Sequence, residues 1–324
     1  MEALGHSASD AALIADHLID CELRGASYGG LARAISIAER FRRTGDRRTP
    51  IRLLHETPVS ARMDGGDNIG YVVAHRATAV AIEKAELSGI AVVGANKTWY
   101  TGMLSYYAEL AAARGLVSII ASNASPWVAP YGATEGRFGT NPICFGFPSA
   151  GEPIIYDIGT SAIIHAEVTL AKRLGKELPQ NVAFDKEGAP TRDPAAALAG
   201  AFAAWGGHKG SGLGIVVHLL GILAGSPSVP PELAEFGYLI VTIRPDLMGP
   251  SEVFRENVTA FAGTVRSARP VADGPPVRMP FDRSRQERAQ RLAEDRIEVP
   301  EAIVEQLTRI AEHTGRPADG SGAT

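Results

Sequence analysis

Apolar residues return at helical spacing along the first stretch of the chain. Ala12, Ala15, Leu18, Ile19 and Leu23 share one face, and the run stops before Gly25. Ser9 stands at its start as a side-chain cap. The same spacing predicts helices over 31–43 and over 71–87, the latter ended by Gly89. Between them, 59–63 reads as a short strand and Asp64-Gly65-Gly66-Asp67-Asn68 as a turn. The unbroken apolar runs 90–94 and 116–121 read as buried strands, separated by a helix over 103–114 that ends at Gly115. Helix and strand alternate, which predicts layered α/β packing.

The middle of the chain is richer in Gly and Pro. Ser125-Pro126-Trp127, Tyr131-Gly132 and Gly139-Thr140-Asn141-Pro142 read as turns. A strand at 154–156 leads into Asp157-Ile158-Gly159-Thr160-Ser161. Helices are predicted over 162–173, 193–204, 211–224 and 251–267, with a strand over 238–243. Segment 282–296 is dense in Arg, Gln and Glu and reads as a solvated helix face, and the last ten residues as a frayed end. No internal repeat or low-complexity linker interrupts the pattern.

Composition narrows the function classes. With 324 residues the chain can bury a large core. Basic residues number 32 and acidic residues 36, a net charge of −4, so the basic excess of nucleic-acid binders is missing. The longest apolar run, 213–224, carries His218 and falls short of the roughly 18 residues of a membrane span. Met1 is followed by Glu2 and an amphipathic stretch rather than an export signal, so a cytoplasmic location is expected. Two cysteines, Cys21 and Cys144, are too few for a disulfide framework or a four-cysteine zinc site. No two of the eight histidines stand four apart, so no helical metal pair is expected. Generic nucleotide motifs are missing too. Ile215 and Val217 stand where a Gly-rich dinucleotide loop would need glycine, and Lys209 is followed by Gly210 rather than Ser or Thr.

Several collinear segments carry a more specific signal. They are Arg24-Gly25 with Arg33, Asp64-Gly65 before a helix, and Ser105-Tyr106-Tyr107 before an alanine-rich helix. Gly139-Thr140-Asn141-Pro142 with Phe145-Gly146-Phe147-Pro148 follows, then Asp157 with Thr160-Ser161, and Asp185-Lys186-Glu187-Gly188 with Asp193-Pro194. Gly207-His208-Lys209-Gly210-Ser211-Gly212-Leu213 completes the set. In this order, from about residue 10 to 280, the chain resembles the malate/L-lactate dehydrogenase family that is unrelated to Rossmann dehydrogenases. That family includes ureidoglycolate, sulfolactate and diketogulonate enzymes and a reductase of cyclic imino acids.

The resemblance implies a three-layer α/β/α fold on a mixed sheet, of the L-sulfolactate dehydrogenase-like type rather than a Rossmann fold. It implies a homodimer and a nicotinamide cofactor, NAD or NADP, bound without a Gly-rich fingerprint. A cofactor-binding region is expected over 116–260. A helical substrate and dimerisation region is expected over 1–115, joined by 260–315, with 316–324 as a frayed tail. The implied cofactor residues are Thr140, Asn141, Asp157, Thr160, Ser161, His208 and Lys209. A dinucleotide needs short polar donors and a cation near its phosphates, and Lys209 begins a glycine-flanked helix suited to that. In isolation, the Gly-Thr-Asn-Pro segment also reads as a plain turn and Lys209 as a solvated side chain. Arg33 has the fork geometry for a substrate carboxylate, with Tyr28 nearby, although it also reads as a surface helix arginine.

The chain departs from its family at four places. The position of the family's acid/base histidine is Tyr100, and a second histidine, in a Ser-His-Gly segment, falls on Gly29 with Tyr28 in place of serine. A carboxylate after the His-Lys-Gly segment is His218, and a late Pro-Gly-Glu reads Pro280-Phe281-Asp282. Imidazole titrates at about 6.5 and phenol at about 10, so Tyr100 is a poor base at neutral pH. A phenol can still protonate a developing alkoxide when a cation lowers its pKa, and Lys97, three residues earlier, is the candidate. Tyr100 equally reads as a packing aromatic beside Trp99. The expected activity is hydride transfer to a cyclic imine, which arrives partly protonated, or to a 2-oxo acid, with little action on malate or lactate. The alternatives are a scaffold recruited to a non-redox biosynthetic reaction and a non-catalytic binding protein.

Overall fold

The computed structural model describes residues 1–314, so the tail expected over 316–324 lies outside the described residues. The chain opens with helices α1 (Ala8–Leu23) and α2 (Leu31–Thr44). The cap of α1 is Ser7, not Ser9: its Oγ accepts the Asp10 N–H at 3.1 Å, and Ser9 sits inside the first turn. Helix α2 starts at Gly30 without a cap of its own. Glu22 supplies it instead, accepting the Leu31 N–H at 2.7 Å.

Strands β1 (Arg52–Thr57) and β2 (Ser60–Ile69) form a hairpin, and α3 (Gly70–Ser88) crosses back to β3 (Ile90–Trp99), parallel to β2. The glycine segment after Asp64 is not a turn. It continues β2 as a bulge, with Gly66 and Asp67 at φ 59 and 58 and a register shift against β3 between Asp64 and Asn68. The Asp64 carboxylate accepts the Gly66 N–H at 2.9 Å, replacing the ladder bond that the bulge forgoes.

Helix α4 (Leu104–Ala113) leads to β4 (Val117–Ser122), β5 (Ile143–Phe147) and β6 (Ile154–Ile158), then to α5 (His165–Arg173). A small two-stranded sheet of β7 (Ala183–Phe184) and β8 (Ala201–Phe202) encloses α6 (Pro194–Ala199). The helix expected over 193–204 ends at Gly200, where a Cβ would lie 2.2 Å from the Phe184 carbonyl oxygen, and β8 follows. Helix α7 (His208–Leu223), strand β9 (Phe236–Ile243) and helices α8 (Ser251–Arg266), α9 (Asp282–Ala293) and α10 (Glu301–Thr314) complete the described chain.

Seven strands form one mixed sheet in the order β1-β2-β3-β9-β4-β5-β6. Every neighbouring pair is antiparallel except β2 and β3. The sheet thus draws β1–β3 from the first 115 residues and its remaining strands from 116–260. Strand alternation divides the core between two faces. Val93, Ile120, Cys144 and Ile240 pack with Ala77 and Ala81 of α3 and with Leu104 and Tyr107 of α4. On the other face α7 lies close: a Cβ at Gly237 would fall 2.3 Å from the Gly221 carbonyl oxygen, and one at Gly94 would fall 3.0 Å from the Ala224 Cα. The result is a three-layer α/β/α arrangement. The last helices return to the first, as Arg288 donates to Asp20 at 2.5 Å and Ile303 of α10 packs on Ala32 and Ile35 of α2.

Two successive antiparallel steps restore direction, so β2, β3, β4 and β6 all end on the same edge of the sheet. Open α/β sheets present ligands at such carboxyl ends. The cavity of this protein lies there.

Candidate functional site

The carboxyl ends of β3, β4 and β6 open into a cavity of about 720 Å³, closed by α1, α2, the start of α5 and the segment before α9. Its floor includes the loop 100–103, which β3 delivers to α4. Gly102 adopts φ 75, and a Cβ there would lie 2.4 Å from His17 Nε2. His17 accepts the Met103 N–H at 2.9 Å, Tyr107 donates to the Thr101 carbonyl at 2.8 Å, and Thr101 bonds Ser122 at 3.1 Å. Burial pushes the His17 imidazole down to about 3, so it holds this loop as a neutral acceptor.

Arg33, on α2, is buried, and its guanidinium makes no hydrogen bond or ion pair with any described residue; its Nη1 has no partner. Its guanidinium carbon lies 4.3 Å from the centroid of the Tyr100 ring, and both residues border the cavity. The cation beside Tyr100 is therefore Arg33, stacked on the ring face, and not Lys97. Lys97 is half exposed, bonds Asp64 Oδ2 at 2.8 Å and does not border the cavity. The bulge of β2 explains the correction, because it draws Asp64 opposite this part of β3 and Lys97 turns to it at φ 54.

Tyr28 borders the cavity between α1 and α2. Burial first, then the Glu167 and Asp157 charges, push its phenol up to about 12, which keeps it a protonated donor. Asp157 ends on the same wall. Withdrawal from bulk water pushes its carboxyl up to about 6, against hydrogen bonds from the first turn of α4, including the Ser105 N–H at 2.8 Å. It is the cavity group that titrates near neutrality. His165, the first residue of α5, also faces the cavity and stacks on Trp127 with ring centres 4.2 Å apart. Burial first, then Arg33 and Arg173, push it down to about 3, so it stays neutral.

The cofactor residues expected from the sequence divide into two groups. Thr140 and Asp157 border the cavity. Asn141 and Thr160 are fully buried struts: Asn141 donates to the Gly214 carbonyl at 2.8 Å, and Thr160 donates to the Asn141 carbonyl at 3.1 Å. Their side chains are used inside the protein, which removes them as direct ligands. Behind Thr140, Ser161 pairs with Ala204 in an isolated bridge and keeps a buried hydroxyl without a partner. His208 and Lys209 are exposed at the start of α7, after Gly206 and Gly207 at φ 62 and 63, and do not border the cavity. His218 Nε2 donates to the Ser228 carbonyl at 2.7 Å, tying α7 to the segment that follows it. The donor set is chemically suited to a phosphate-bearing cofactor, since the start of α7 has no side-chain cap, Lys209 is exposed there and the Ser161 hydroxyl is unpartnered, although none of the three borders the cavity.

Sequence reasoning passed over Arg24, His165 and Glu167 as cavity residues. No periodic signal marks them, since each sits at an element end whose position only packing decides. Among the described residues no cluster of His, Cys, Asp or Glu is placed to hold a metal, and no helix is long and apolar enough to cross a membrane.

The model of the malate/L-lactate dehydrogenase family matches residues 1–308. The chain belongs to this family. It is 33% identical to an L-sulfolactate dehydrogenase of Methanothermobacter thermautotrophicus over 309 residues, covering 92% of this chain and 89% of that protein. It is also 33% identical to the ureidoglycolate dehydrogenase (NAD(+)) of Escherichia coli over 277 residues, 82% of this chain and 78% of that protein. Among solved structures, the Δ1-piperideine-2-carboxylate reductase of Pseudomonas syringae superposes with a TM-score of 0.78 at 30% identity, covering 95% and 94% of the two chains. The fold built above is thus the fold of this family of oxidoreductases.

Proposed function

We propose that the protein is an NAD(P)-dependent oxidoreductase that acts on a small 2-oxo acid or cyclic imino acid. The observation that carries this reading is Arg33, a buried guanidinium that faces the cavity and has no acidic partner among the described residues. An unpaired buried cation is costly, and a carboxylate ligand relieves that cost with paired charge-assisted bonds. When bound, the nicotinamide supplies or accepts the hydride.

The remaining roles belong to the chain itself. Tyr100 stacks against the Arg33 guanidinium, and its hydroxyl is the donor at the position where the family resemblance puts the acid. Tyr28 is a second protonated donor. Asp157, titrating at about 6, can hold or release a proton at physiological pH. Lys209, Ser161 and Thr140 suit the cofactor phosphates and ribose. Relatives named for sulfolactate, ureidoglycolate and a cyclic imino acid support an acid substrate and leave its non-carboxylate end open.

We further infer a cytoplasmic homodimer. Its support is the outer face of α7, where Val216, Leu219 and Leu223 are 51%, 58% and 69% exposed on a helix apolar on every side. Both cysteines are free, as in a reducing compartment. The function is tested by thermal-shift and fluorescence titration with NADH and NADPH, followed by turnover on 2-oxo acids and Δ1-pyrroline-2-carboxylate. Binding of one cofactor with turnover of at least one such acid is expected. Failure to bind either cofactor would overturn the redox reading.

A further inference from the structure

Phe281, the residue before α9, is a bulky side chain in the left-handed region, with φ 74. Glycine would make the same turn without strain. The turn is nevertheless locked, because the buried Asp282 carboxylate accepts from Arg266 at 2.7 and 2.8 Å, from Arg285 at 3.0 Å and from the Met279 N–H at 3.0 Å. Its ring borders the cavity and lies over Arg24, whose guanidinium carbon is 4.7 Å from the ring centroid. Arg24 is buried. It donates to Asp20 at 2.6 Å and to Glu109 at 2.5 Å, yet its Nη1 has no partner.

Two buried arginines therefore border one cavity, each stacked on an aromatic ring and each with an unused Nη1. They differ in charge balance: Asp20 and Glu109 pair with Arg24, whereas Arg33 has no ion pair among the described residues. We propose that Phe281 is a specificity-determining residue that covers Arg24 and so restricts the site to substrates with a single carboxylate. That carboxylate goes to Arg33, and the apolar remainder of the substrate lies against the Phe281 ring. A second anionic group would meet the ring in place of the Arg24 donor, which is discrimination by a built-in mismatch. The proposal rests on the function proposed above, through the carboxylate site at Arg33.

The test is direct binding, read from tryptophan fluorescence, since Trp127 borders the cavity. Wild type, Phe281→Gly and Phe281→Leu are titrated with oxamate, which has one carboxylate, and tartronate, which has two, each with and without NADH. Wild type is expected to bind oxamate at least about tenfold more tightly. Phe281→Gly should move that ratio at least about tenfold toward tartronate by uncovering a charged donor, while Phe281→Leu keeps the wild-type ratio. If the glycine variant does not fold, Phe281→Ala carries the same comparison. An unchanged ratio in the small variants, or a wild type that prefers tartronate, overturns the proposal and leaves the Arg33 reading intact. A variant that changes NADH affinity without changing the ratio assigns the ring to the cofactor and overturns it as well. If no form binds either acid, the carboxylate reading of Arg33 fails, and this inference with it.

Discussion

Arg33 separates stability from function at a single side chain. Its charge is largely withdrawn from water with no acidic partner among the described residues, which costs desolvation energy that a carboxylate ligand would offset. Arg33→Met is therefore expected to leave the melting temperature unchanged or raise it, while weakening binding of a 2-oxo acid by about 2–5 kcal/mol. Melting curves and a titration on the same variant check both signs. Tyr100→Phe keeps the ring under Arg33 and removes only the hydroxyl. With a ketone substrate, turnover should fall by about two orders of magnitude while cofactor affinity holds; with an imine that arrives protonated, the loss should stay under about tenfold. At this scale the family pattern was legible only in part: of the residues it named, Tyr28, Arg33, Tyr100, Thr140 and Asp157 border one cavity, whereas Asn141, Thr160, Ser161, His208 and Lys209 do not. The sequence misled at Lys97, because spacing along a strand cannot reveal a bulge that pairs the lysine with Asp64. Phe281 was visible only as a departure from a glycine, and its contact with Arg24 needed coordinates.

Helix α7 carries two of the arguments at the scale of elements. Its first turn presents Lys209, and Lys209→Ala should weaken NADH or NADPH binding by about 1–3 kcal/mol, the worth of a hydrogen bond to a charged group. An unchanged dissociation constant would remove the lysine from the cofactor site. Its outer stripe is the expected seat of a second copy, so Leu219→Arg should convert a dimer to monomer in light scattering after size exclusion. Most helices were legible, since their apolar stripes and terminal glycines act locally. The exceptions have physical causes. Strand β1 has no alternating pattern to detect, because nearly all of it is exposed, and the helix expected through residue 204 gives way where Gly200 meets the Phe184 backbone. The Asp64–Asn68 stretch has turn composition but remains in the sheet, because a carboxylate supplies the missing backbone partner.

The molecule as a whole should lose stability in mild acid. His6, His17 and His165 are pushed down to about 4, 3 and 3, mainly by burial, from an ordinary value of 6.5. Their contribution is fully present above about 6.5 and is lost as pH falls from there toward the folded values, because only the unfolded chain takes up the protons. Asp157, raised to about 6, works the other way: its protonation below that value favours the folded state. Three imidazoles outweigh one carboxyl between pH 7 and 5.5, for a net loss of about 2–3 kcal/mol. The melting temperature should drop by roughly 5 °C over that range. A flat profile would mean that these imidazoles are solvated.

Strand β9 lies between β3 and β4, yet it is made long after both. During synthesis, the chain up to residue 235 therefore carries two facing strand edges with a vacant slot between them. Those edges can pair wrongly, with each other or with another nascent chain, until residues 236–243 arrive. The sheet cannot be finished in two halves that dock, because its central member belongs to neither half when they form. Completion must wait for a long-range insertion, which is slow, and a stop codon anywhere before residue 236 leaves an aggregation-prone fragment rather than a smaller working domain.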